Sequence, residues 1–114
     1  MNRETKEWLA TQELKDALDK KFGQDIMVMD LRNVSTIADF FVIATGGSQP
    51  QLQALADTTE EILKKHDIPL HHTEGIRSGE WVLMDFGGII VHLFDKESRE
   101  FYKLERVWGD AQIV

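Results

Sequence analysis

The chain has 114 residues, contains no cysteine, and carries a formal net charge of −7 at pH 7 from 20 acidic and 13 basic residues. The missing thiols exclude disulfides and cysteine chemistry and are typical of a reducing cytosol, so we expect a cytoplasmic protein. The charged N-terminal sequence has no signal-peptide pattern, and no apolar run approaches the roughly 18 residues of a membrane span, so we expect no membrane contact. The acidic balance disfavours direct nucleic-acid binding, which needs a basic patch, and favours a basic protein surface as a partner.

The length predicts a single domain over residues 1–114, large enough to bury a core. In chain order, the pattern predicts a helix over about Arg3–Phe22, a strand over Asp25–Leu31, a strand over Phe40–Thr45, a helix from Ser48 to about His66, and a short strand over Leu70–Glu74. The run Phe40–Thr45 is continuously apolar, which is typical of a strand buried on both faces. Such a strand indicates a layered α/β or α+β architecture.

A β-hairpin is predicted after a loop at Gly75–Gly79, because the pair Gly87-Gly88 separates two runs rich in Val, Ile and Phe. Residues paired across a hairpin point to the same side of the sheet. One predicted side is entirely apolar and consists of Val82, Met84, Phe86, Ile89, Val91 and Leu93. The other side, called the aromatic face below, consists of Trp81, Leu83, Asp85, Ile90, His92 and Phe94.

A last helix is predicted after Asp95, which suits an N-cap position. Its apolar stripe is predicted to contain Phe101, Leu104 and Trp108, and the complete order of elements is αββαβββα. Trp81, Leu83, Ile90 and Phe94 of the aromatic face are too apolar to remain in water. The pattern leaves open whether this face is covered by the chain's own helix or by a partner.

Phosphate chemistry is one alternative for the turn Thr45–Ser48, because backbone amides between a buried strand and a helix can hold an anion. An ordinary turn explains the same residues, because Ser48 suits an N-cap position and has the capping-box spacing to Gln51. The Walker lysine and the three-glycine fingerprint are absent. The turn also resembles the Gly-Ser signature of nucleotidyltransferases, which require two metal-binding carboxylates two residues apart. The only downstream pair at that spacing is Asp95/Glu97, which a helix cap and a first-turn acid explain.

Metal and hydrolase sites are not favoured by the sequence. Adjacent His71 and His72 would point to opposite faces of a strand, and no zinc-binding spacing occurs, so we expect no metal and no cofactor. A nucleophile elbow is also missing. His92 and Asp85 lie on the same face and could share a hydrogen bond, either as a structural pair or as an acid–base pair.

Two long stretches, DFFVIATGGS (Asp39–Ser48) and WVLMDFGGIIVHLFDKESREFYKLERVW (Trp81–Trp108), resemble the bacterial ribosomal silencing factors, the RsfS or Iojap family. The resemblance implies an α/β fold with a mixed sheet of about five strands and helices packed on it, nucleotidyltransferase-like but without enzymatic activity. It also implies binding to ribosomal protein fourteen of the large ribosomal subunit, which blocks joining of the small subunit and lowers translation under nutrient limitation. Relatives of this kind also tend to form homodimers.

The partner-binding residues that the hairpin pattern and the resemblance together predict are Trp81, Leu83, Asp85, His92, Phe94, Arg99 and Tyr102. The alternative function is a nucleotide-binding or nucleotidyltransferase-like enzyme that uses Gly47 and Ser48. No catalytic residue is predicted under the first interpretation.

Overall fold

The computed structural model describes residues 5–75 and 80–114, which form a six-stranded sheet with two long helices on one face. The elements are α1 (Lys6–Lys20), β1 (Gln24–Asp30), β2 (Phe40–Thr45), α2 (Gln49–Lys65), β3 (His72–Glu74), β4 (Trp81–Asp85), β5 (Ile89–Phe94), α3 (Lys96–Tyr102), a 3-10 helix (Leu104–Arg106) and β6 (Gln112–Ile113). Within the described ranges, no helix is both long enough and apolar enough to span a membrane. Residues 76–79 of the predicted loop Gly75–Gly79 lie outside these ranges.

The sheet is mixed, with strand order β3-β4-β5-β2-β1-β6. β2 and β5 are parallel neighbours, whereas the other neighbouring pairs are antiparallel. The prediction of an α/β fold with a mixed sheet is therefore confirmed. The strand missing from the prediction is β6, whose two residues pair with the end of β1, Ile113 opposite Met29 and Gln112 opposite Asp30.

The main core lies between the sheet and the two long helices. α1 contributes Leu14 and Leu18, each 0% exposed, to a cluster that includes the entirely apolar side of the hairpin. Thr5 caps α1 by accepting from the Trp8 N–H at 3.2 Å, and the helix begins at Lys6. The predicted start near Arg3 lies outside the described residues. The helix also ends before the predicted Phe22, because that residue has a φ of 65° and is 79% exposed.

The opposite side of the sheet holds a smaller core that the C-terminal segment covers. Leu104, Trp108 and Ala111 pack there against a buried cluster that includes Phe41 and Phe94. The predicted helix through Trp108 is wrong, because Lys103 adopts a left-handed conformation (φ 47°, ψ 47°) and ends α3 at Tyr102. The predicted stripe position Phe101 is consequently 77% exposed.

The remaining boundaries differ from the prediction by small amounts. β2 spans the predicted Phe40–Thr45, and all six of its residues are buried. β1 is shifted by one residue from the predicted range, and α2 ends one residue early, at Lys65. The predicted strand Leu70–Glu74 is shorter, since only His72–Glu74 pairs with β4.

Candidate partner-binding face

The hairpin has the register that the Gly-Gly turn predicts. Val82 pairs with Leu93 and Met84 with Val91, and the Phe86 N–H donates to the Ile89 carbonyl at 2.9 Å. Gly87 adopts a φ of 85°, a conformation that side chains with a Cβ rarely adopt. This register places all the residues of the aromatic face on one side of the sheet, as expected.

Trp81 is at the centre of an aromatic cluster on this side. Its ring centroid lies 5.0 Å from that of Phe94, 4.7 Å from that of Tyr102 and 5.9 Å from that of His92. Phe94 is 0% exposed, whereas Trp81 is half-buried and Tyr102 is 49% exposed. The cluster therefore has a buried base and an accessible end formed by Trp81 and Tyr102.

His92 lies beneath this accessible end and is only 4% exposed. Its Nδ1 accepts a hydrogen bond from the Trp81 indole Nε1–H at 3.2 Å, and its ring meets the ring of Phe41 edge-on at 4.8 Å. Burial lowers the pKa of His92 to about 4, so the imidazole is neutral at neutral pH. Its Nε2 has no hydrogen-bond partner among the described residues.

The hydrogen bond that the sequence allowed between His92 and Asp85 does not form. His92 is opposite Leu83 in the ladder, and Asp85 is opposite Ile90. The Asp85 carboxylate instead accepts from the Gly87 N–H at 2.8 Å, which closes the hairpin turn. An acid–base pair of these two residues is therefore excluded by the geometry.

Arg99 connects three parts of the fold at the edge of the aromatic face. It is 8% exposed, its Nη1 donates to Thr45 Oγ1 at 3.0 Å, and its Nε donates to Glu105 Oε2 at 2.9 Å. Burial raises the pKa of Glu105, but the backbone N–H of Glu105 and the Arg99 guanidinium outweigh it and hold the pKa below its usual value. The guanidinium thus ties α3 and the 3-10 helix to the end of β2.

The seven residues predicted to bind a partner differ in accessibility. Trp81, Leu83, Asp85 and Tyr102 reach the surface at least in part, whereas His92, Phe94 and Arg99 are buried. A partner on this face would therefore touch the accessible residues, and the buried residues would hold them in place from below.

Exposed apolar residues in the loop between β1 and β2 were not part of the predicted site. Ile37 is 74% exposed and Val34 is 38% exposed, and both line a surface depression of about 400 Å³ with Trp108. The available signal in the sequence was that these two apolar side chains interrupt a turn-rich segment, NVSTIAD, where water-facing residues are usual.

The turn before α2 uses its backbone donors internally. The Gln51 N–H donates to Ser48 Oγ at 3.2 Å, which confirms the predicted cap, and the Gly47 N–H donates to the Gln51 side-chain oxygen. The Gly46 N–H donates to the Phe94 carbonyl at 2.8 Å. These three backbone amides are thus already paired within the chain. The described part of the chain contains no group of three acidic or histidine side chains suited to a metal ion.

Comparison with known proteins gives consistent results. A family model described as ribosomal silencing factor during starvation, RsfS, matches residues 3–114. The chain is 38% identical over 98 residues to the ribosomal silencing factor RsfS of Bacillus subtilis, covering 86% of this chain and 83% of that protein. It is 42% identical over 94 residues to RsfS of Zymomonas mobilis, covering 82% of this chain and 71% of that protein. A crystal structure of a Chromobacterium violaceum protein superposes with a TM-score of 0.83 at 33% identity, covering 89% of this chain and 84% of that one.

The fold and the half-exposed aromatic cluster define a mixed-sheet α/β domain with an apolar surface of the kind found in protein contacts. Residues 3–114 match the family model, and the relatives share more than a third of their aligned residues with this chain. The chain belongs to the ribosomal silencing factor family, RsfS. The resemblance inferred from the two long sequence stretches is confirmed.

Proposed function

We propose that this protein is a cytoplasmic translational repressor without enzymatic activity. It binds the large ribosomal subunit through ribosomal protein fourteen and sterically blocks joining of the small subunit. The observation that carries the proposal is the contact, at 4.7 Å between ring centroids, of Trp81 on the aromatic face with Tyr102 of α3, both of which are accessible. Aromatic residues supported by a packed base are typical anchors of protein interfaces.

Charge supports a basic protein as the partner. The net charge is −7, and two exposed carboxylates lie near Trp81: Glu74, which lines a surface depression with it, and Glu80, which precedes it in the chain. Such a surface repels the phosphates of ribosomal RNA and attracts a basic protein. Direct nucleic-acid binding is therefore not part of the proposal.

The same face is proposed to form the homodimer in the free protein. Trp81 and Tyr102 are apolar enough to favour cover by a second copy when no ribosome is present. Dimerisation and ribosome binding would then compete. Sedimentation with the partner protein tests this point, since a complex that retains two copies of the chain at this face contradicts the competition.

The proposed contact is tested with Trp81→Ala and Tyr102→Ala. Each substitution is expected to weaken binding to isolated large ribosomal subunits by about 2 kcal/mol or more, roughly thirtyfold in Kd. The matched control is Phe22→Ala, because Phe22 is 79% exposed but lies after α1, outside the aromatic face. Circular dichroism establishes that each variant is folded. Folded Trp81 and Tyr102 variants that bind large subunits with wild-type affinity would refute the assignment of this face.

The block of subunit joining is tested separately from binding. Small and large subunits are sedimented through a sucrose gradient with and without the protein. We expect the protein to move with the large subunit and to reduce the peak of joined ribosomes. Binding without any change in that peak would refute the anti-association step while leaving the contact intact.

A further inference from the structure

Trp81 makes one hydrogen bond, which is directional, and several ring contacts, which are not. Its indole ring packs against Phe94 and Tyr102, and such ring contacts allow a range of tilts. The hydrogen bond from its Nε1–H to His92 Nδ1, at 3.2 Å, has a single favourable orientation. The position of the indole on the accessible face is thus defined by an acceptor that lies below it.

From this geometry we propose that His92 is a positioning residue, which fixes the Trp81 indole in the orientation that the partner meets. The inference rests on the function proposed above and specifies how its contact surface is maintained. His92 itself does not reach the partner, because it is 4% exposed under Trp81 and beside Phe41.

The chemistry of the second imidazole nitrogen supports this role. Because Nδ1 accepts from Trp81, the neutral ring carries its proton on Nε2. That buried N–H has no acceptor among the described residues, an arrangement that reduces stability. An apolar side chain would suit the core better at this place. The presence of histidine is therefore explained by what Nδ1 does for Trp81.

The protonation state of His92 fits the same role. Only a neutral imidazole can accept at Nδ1, since both nitrogens of the charged form are donors. Burial among aromatic rings keeps the pKa of His92 near 4, so the acceptor is available throughout the neutral range. The surroundings of His92 thus preserve the hydrogen bond that orients Trp81.

Two opposite substitutions separate the acceptor from the ring. His92→Phe keeps an aromatic ring and removes the acceptor, whereas His92→Asn removes the ring and keeps an acceptor, Oδ1, bonded to Cγ as Nδ1 is. The first readout is the indole N–H resonance of Trp81 in the free protein, assigned among the three tryptophans by its loss in Trp81→Phe. We expect solvent exchange of this N–H to rise on the order of tenfold in His92→Phe and to stay near the wild-type rate in His92→Asn.

The second readout is binding to isolated large ribosomal subunits. Loss of a fixed orientation at one anchor side chain should weaken binding about fivefold in His92→Phe. An unchanged solvent-exchange rate of the Trp81 indole N–H in His92→Phe would overturn the inference. So would unchanged affinity of His92→Phe in an assay in which Trp81→Ala lowers affinity. If Trp81→Ala itself has no effect, the proposed function fails, and that result is distinct from a failure of the hydrogen bond.

A measurement on the unmodified protein covers the case in which a variant does not fold. The ¹⁵N chemical shifts of the His92 imidazole at neutral pH report which nitrogen carries the proton. Protonated Nε2 and unprotonated Nδ1 support the inference. A protonated Nδ1 overturns it, because that nitrogen could not accept from Trp81.

Discussion

Acid should destabilise this protein through His92 before it does so through the carboxylates. The pKa of His92 is about 4 in the folded protein and 6.5 for an ordinary histidine, so between these values the unfolded chain binds more protons than the folded one. The contribution of neutral His92 to the free energy of unfolding is therefore fully present above pH 6.5 and is lost as the pH falls through this window. With these two pKa values, the free energy of unfolding should fall by about 2 kcal/mol between pH 7.5 and pH 5.

The assay is urea unfolding of the wild type and His92→Phe at both pH values. The wild type should lose about 2 kcal/mol more than the variant over this range. Glu13 and Glu105 also have lowered pKa values, but their stabilising effects are lost only below their ordinary value of 4.5. His71→Gln, at an exposed histidine, is the control and should follow the wild type. Equal pH dependence in the wild type and His92→Phe would refute the reasoning.

Three further stability predictions are measured by urea unfolding at neutral pH. Leu14→Ala should cost about 3 kcal/mol because it leaves a cavity at a 0% exposed position, whereas Leu9→Ala, at a 49% exposed position in the same helix, should cost well under half of that. Gly87→Ala should cost on the order of 1–2 kcal/mol because of its φ of 85°, and Gly109→Ala, where no positive φ is required, should cost less. Glu105→Gln should cost about 2 kcal/mol, since a buried guanidinium then loses its charged partner. Equal losses of unfolding free energy in the two leucine variants would contradict the cavity explanation, and equal losses in the two glycine variants would contradict the backbone explanation. No loss in Glu105→Gln would contradict the importance of the ion pair with Arg99.

The sequence predicted best those elements whose cause is local. The Gly87-Gly88 turn defined the hairpin register without reference to the rest of the chain, and Ser48 with Gln51 defined the start of α2. The run Phe40–Thr45 was apolar at nearly every position because helices cover one side of it and the C-terminal segment covers the other.

The errors arose where tertiary contacts decide the conformation. Phe101, Leu104 and Trp108 have helical spacing, but the chain reverses at Lys103, and no residue type at that position signals a left-handed conformation. β6 was missed because two residues are too few to form a pattern, and they are a strand only through pairing with β1. The pairing of His92 with Trp81 was missed because a shared face does not reveal whether the imidazole will meet the Trp81 indole or the Asp85 carboxylate.

The two outer strands of the sheet, β3 and β6, contain only three and two residues. Each therefore offers few unpaired N–H and C=O groups with which a foreign strand could pair. The side chains of His72 and Glu74, in contact at 3.0 Å, add polar groups to one of these edges. Growth of the sheet by edge-to-edge addition, the usual start of aggregation in β-rich proteins, is thereby suppressed. The proposed recognition then depends on side chains on a face of the sheet, where shape and charge can distinguish one partner from another.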